Sequence, residues 1–86
     1  KLQNRRQDDL LLADYYSRMV DKGESFWKVI HAPFLNHELN RCQVKAIIQR
    51  GLQTAGSYKE LLKLFNIHPD SYKKFMNFLQ HNRLKP

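Results

Sequence analysis

The chain has 86 residues, 42% of them apolar, enough to bury one core in one domain, and its three glycines and three prolines exclude a collagen-like or low-complexity polymer. One cysteine, Cys42, excludes an internal disulfide and fits a reducing compartment; no stretch reaches the ~18–20 apolar residues of a membrane span, and no secretory signal pattern is visible. The net charge of +7 is one-sided: residues 1–40 are neutral, whereas residues 41–86 set Arg41, Lys45, Arg50, Lys59, Lys63, Lys73, Lys74, Arg83 and Lys85 against only Glu60 and Asp70. A positive field on one half of a small domain favours a polyanionic partner.

The polar opening KLQNRRQ, residues 1–7, reads as the end of a linker in a longer protein. A first helix is expected from Asp8 or Asp9 to Lys22, because Leu12, Tyr15, Tyr16, Met19 and Val20 recur at three- and four-residue spacing. Gly23 follows, where left-handed backbone ends a helix. A short helix then spans Ser25 to about His31, with Phe26, Trp27, Val29 and Ile30 apolar. Pro33 stops it or begins the next turn, and residues 32–38 read as a connector. Asn40 and Gln43 have capping-box spacing and open a third helix. Its buried stripe is Val44, Ile47, Ile48 and Leu52, and it ends near Ala55-Gly56. Ser57 and Glu60 repeat the capping-box spacing before a short helix bearing Leu61, Leu62, Leu64 and Phe65. Asn66 and Ile67 form a tight break. The last helix opens on Pro69, whose missing N–H would be unpaired at that position anyway, and runs to about Asn82. Nothing alternates with period two, so the predicted fold class is all-α: about five helices over residues 8–86.

Residues 57–82 have the pattern of a helix-turn-helix. Asn66 tolerates the positive φ of a sharp turn, and Ile67 can plug the angle between the two helices. On a helical wheel Tyr72, Phe75, Met76 and Leu79 gather on one side, with Phe78 at their border. Asp70, Lys73, Lys74, Asn77 and His81 gather on the other. The second set can donate to phosphate oxygens or base edges.

Other chemistry finds little support. His31, His37, Cys42, His68 and His81 lack the paired spacing of a metal site, so no metal or cofactor is expected. No nucleophile has an orienting acid, and the phosphate-binding pattern G-x-x-x-x-G-K-[ST] is absent, so the chain reads as a binding module and not an enzyme. Trp27, Phe26 and Phe34 could form a stacking platform for single strands, but core packing is the simpler reading. The helices need their apolar residues for the core, which leaves no face to enter a membrane.

The stretch GSYKELLKLFNIHPDSYKKFMNFL, Gly56 to Leu79, resembles the C-terminal helix-turn-helix of NtrC-like, sigma-54-dependent transcriptional activators, related to the nucleoid protein Fis. Gly56-Ser57 stands for the family's Gly-Asn opening, Leu61-Leu62 for its Ala-Ala, Phe65-Asn66-Ile67 for Leu-Gly-Ile, and Ser71-Tyr72 for Thr-Leu. Val44 to Thr54 is similar to the preceding helix, which helps form the family's two-fold dimer. Asn66 departs from glycine, and Pro69 and Phe75 stand at positions often basic in the family. The resemblance implies sequence-specific binding of double-stranded DNA by a homodimer in the bacterial cytoplasm, at the nucleoid. It also implies that a missing AAA+ domain contacts sigma-54 RNA polymerase. Carried over by position, the groove-facing residues are His68, Ser71, Lys73, Lys74 and Asn77, and the backbone contacts are Ser57, Tyr58 and Lys59; His68 and Ser71 could instead act only as caps. The rival reading is a helical interaction or dimerisation module that docks its basic face on an acidic partner.

Overall fold

The computed structural model describes residues 5–86, with side chains from residue 10 onward; residues 1–4, most of the expected linker, lie outside the described range. The fold is all-α. Helix α1 spans Arg5–Val20 and so begins before Asp8. It ends two residues before the expected Lys22, but Gly23 closes it as expected: the Glu24 N–H reaches back to the Arg18 carbonyl at 3.0 Å across Gly23, whose φ is +75°. Leu12, Tyr15, Tyr16 and Val20 are half-buried against the core and Met19 is fully buried.

The next segment corrects the sequence reading. Trp27–His31 is a π-helical turn that continues directly into α2, Ala32–Leu35, so residues 32–38 are not a mere connector, and of the two expectations for Pro33 the second holds: it begins the next turn. Proline is tolerated because it falls in the first turn of α2, where a missing N–H is least costly. His37, at φ 64°, closes α2 by letting the Glu38 N–H bond to the Pro33 carbonyl at 2.8 Å.

Helix α3, Arg41–Ala55, carries the complete capping box. Asn40 accepts from the Gln43 N–H and Gln43 accepts from the Asn40 N–H, each at 2.8 Å. Gly56, at φ +92°, ends it. In α4, Tyr58–Leu64, only half the second box forms: Ser57 Oγ accepts from the Glu60 N–H at 3.2 Å, while the Glu60 carboxylate lies 3.6 Å from Lys63 Nζ. The chain turns at Asn66, φ 58°, and buries Ile67. Pro69–Ser71 forms a 3-10 turn and not the first turn of an α-helix, so α5 is Tyr72–His81. Beyond it Arg83 takes φ 55° and the Leu84 N–H bonds to the Leu79 carbonyl at 2.7 Å, which folds Leu84 back into the core.

Phe26 is the hub of that core. Its ring stacks on Phe65, the C-cap of α4, at 6.0 Å and meets Phe75 and Phe78 of α5 edge-on at 5.1 and 6.1 Å. Gly51 lets α3 approach α4: a β-carbon there would lie 2.5 Å from Leu61 and 2.6 Å from Phe65. Among the described residues no helix is long and apolar enough to cross a membrane. Contrary to the expectation that the core uses every apolar residue, Leu10, Leu11 and Leu35 are exposed.

Candidate nucleic-acid interface

Helices α4 and α5 meet through a turn fixed at both levels of the chain. The Asn66 backbone takes the left-handed conformation that its residue type permits. Its carboxamide donates to the carbonyls of Met19, at 2.7 Å, and Glu24, at 3.0 Å. Ile67, 4% exposed, fills the angle between the helices. The Phe26 N–H adds a bond to the Phe65 carbonyl at 3.0 Å. These contacts tie the α4–α5 turn to the exit of α1 and the start of the π turn.

On α5 the two faces separate as the wheel requires. Phe75 and Leu79 are fully buried, Tyr72, Met76 and Phe78 are half-buried, and Lys73, Lys74, Asn77 and His81 are exposed, as is Asp70 in the preceding 3-10 turn. Phe75 meets Phe26 edge-on inside the core, so it is not available to a partner. Phe78 packs on the π turn and α2, against Trp27, His31 and Phe34.

The remaining candidate residues divide. Ser57 caps α4 through its hydroxyl and is exposed, and Lys59 is exposed beside it. Tyr58 is half-buried against the core; burial, with a smaller contribution from Tyr72, raises its phenol above the ordinary value. His68 acts as a cap: its Nδ1 accepts from the Asp70 N–H at 3.1 Å, leaving the ring 72% exposed. Ser71 is half-buried and makes no side-chain cap bond.

Between α4 and the start of α5 lies an open groove of about 360 Å³, floored by Leu62, Pro69 and Tyr72 and edged by Lys59, Glu60 and Lys63. It places Lys59 next to the N-terminal end of α5. Lys63 and Tyr72 were not singled out as contact candidates in the sequence. Lys63 is a single charge one turn after Lys59, and the wheel assigns Tyr72 to the core side, so only the approach of the two helices brings them to one edge.

Lys74 lies against the body of the domain. Its Nζ lies 4.6 Å from the centre of the Trp27 ring, close enough for a cation–π contact. Phe26 itself is core, as expected, whereas Trp27 and Phe34 are only half-buried, and Trp27 supports a cation in place of a base. His31 sits edge-to-ring with Trp27 at 5.0 Å, and burial, followed by the charge on Lys74, lowers its imidazole below the ordinary range. Among the described residues no cluster of three or more His, Cys, Asp or Glu could hold a metal, and Cys42 is exposed. Compared with known protein families, curated proteins and solved structures, the chain matches none.

Proposed function

We propose that this chain binds double-stranded DNA sequence-specifically through α4 and α5, as the homodimeric DNA-binding domain of a bacterial sigma-54-dependent transcriptional activator. The observation that carries the reading is the division of α5. Phe75 and Leu79 hold it to the core while Lys73 and Asn77 are exposed on the opposite side and Lys74 is exposed at the flank, its Nζ against Trp27. A helix presented this way can enter the major groove while α4 crosses the phosphate backbone. Lys59 and the N-terminal end of α4 then lie where phosphate oxygens pass, and Lys73, Lys74 and Asn77 lie against base edges or flanking phosphates. The one-sided charge supplies the long-range attraction. The affiliation with sigma-54-dependent activators rests on the sequence resemblance over residues 40–82. The ATPase of such a protein belongs to another domain, so this chain supplies position and no chemistry.

Duplex binding of this kind releases counterions. With about four phosphates neutralised per protomer, log K against log salt should fall with a slope near −7 per dimer, and half-sites should lie about 34 Å apart or at a multiple of that spacing. Replacing Lys73 and Lys74 together by Glu should abolish duplex binding while the helical circular dichroism is retained. Unchanged affinity in a folded double variant would overturn the assignment of α5 to the groove and favour an acidic protein partner.

A further inference from the structure

Trp27 lies outside the helix-turn-helix, on the π turn, yet the ammonium of Lys74, an exposed residue of α5, lies over its ring. The ring is itself fixed. It meets Phe26 edge-on at 5.3 Å, His31 at 5.0 Å and Phe78 at 6.5 Å. A lysine on an exposed helix face ordinarily samples many rotamers, and ordering it on a ligand sacrifices that freedom. Here the ammonium is already confined by the ring quadrupole, while Lys74 as a whole remains exposed. His31, the other polar group at the same ring, is held toward its neutral form by burial first and by Lys74 second, so it adds no competing charge beside the ammonium.

We propose that Trp27 is a positioning residue for DNA binding: it touches no nucleic acid and holds the Lys74 ammonium in the place from which it meets the duplex. This rests on the reading of α5 as the groove-facing helix and deepens it by adding a positioning residue forty-seven positions upstream of the lysine it serves. Confinement removes part of the ordering cost that a free lysine would carry into the complex, an effect of roughly two- to fivefold in affinity at the usual strength of an exposed cation–π pair.

The test uses the full chain and a 30-base-pair duplex of mixed composition at low salt, with Trp27→Phe, Trp27→Leu, Lys74→Gln and the Trp27→Leu, Lys74→Gln double variant. In the free wild-type protein the Lys74 ε-methylene protons should resonate upfield, inside the indole ring current, and lose that shift in Trp27→Leu. Duplex affinity should fall in the order Trp27, Phe, Leu, by roughly two- to fivefold overall, and Trp27→Leu should have no further effect once Lys74 is Gln. Trp27→Phe keeps an aromatic ring against Phe26 and Phe78, so it carries the test if the leucine variant fails to fold. Three results overturn the proposal: affinity unchanged in Trp27→Phe and Trp27→Leu, affinity increased because the ring had been holding the lysine away from DNA, or equal losses with and without Lys74. A normal affinity in Lys74→Gln with Trp27 intact is a different failure, which removes Lys74 from the interface and strikes the groove assignment itself.

Discussion

A φ of 58° costs an ordinary L-residue roughly 1–2 kcal/mol, and Asn accepts it more readily than most because its short polar side chain can bond locally. At position 66 that side chain bonds far away instead, to the carbonyls of Met19 and Glu24. The two roles separate by substitution. Asn66→Gly keeps the backbone conformation and loses both hydrogen bonds, so it should destabilise by about 1–2 kcal/mol, with added freedom of the unfolded chain contributing part. Asn66→Ala should lose roughly a further 1 kcal/mol through the strained φ. Urea denaturation should rank the three as Asn, Gly, Ala; a glycine variant as stable as wild type would show that the carboxamide contributes nothing. The turn itself is legible in the sequence because conformational tolerance is a local property of Asn. Its grip on α1 is not, since both acceptors are backbone atoms more than forty residues upstream.

The same contrast holds for whole elements. Both capping positions, Asn40 and Ser57, are readable because the partners sit three residues away. The join of the π turn to α2 across Pro33 is not, because proline punctuates a sequence only when no flanking helix can absorb it. Gly51 is likewise silent in the sequence, where a mid-helix glycine between two helical turns reads as a small loss of propensity. Its meaning comes from α4: an added β-carbon would press on Leu61 and Phe65, both fully buried and unable to swing away. Gly51→Ala gains about 1 kcal/mol of helix propensity. It should nevertheless destabilise the protein by a net ~1–3 kcal/mol, as overpacking does. A raised melting temperature would mean that α3 and α4 can part without penalty. On α5 the separation of faces was legible in full, since a 3.6-residue period needs no tertiary information. What the wheel leaves out is that Lys74 leans onto a ring from another element.

For the molecule as a whole, acid should act through His31. Its folded imidazole binds a proton less readily than the ordinary value of 6.5, by burial first and by Lys74 second. The unfolded chain therefore takes up that proton first as the pH falls. Stability from this residue is complete above about 6.5 and is lost between there and the lowered folded value. Melting temperatures measured from pH 7.5 down to 5 should decline, and His31→Gln should flatten part of the decline; an unaltered profile would place the sensitive group elsewhere. Glu24, lowered chiefly by its hydrogen bond from Arg18, gives a separate, weak acid sensitivity below its ordinary 4.5. The grip of Asn66 on the carbonyls of Met19 and Glu24 has a mechanical side. Met19 lies on the last turn of α1, so a load on that helix passes through Asn66 directly to the turn from which α5 and its lysines depart.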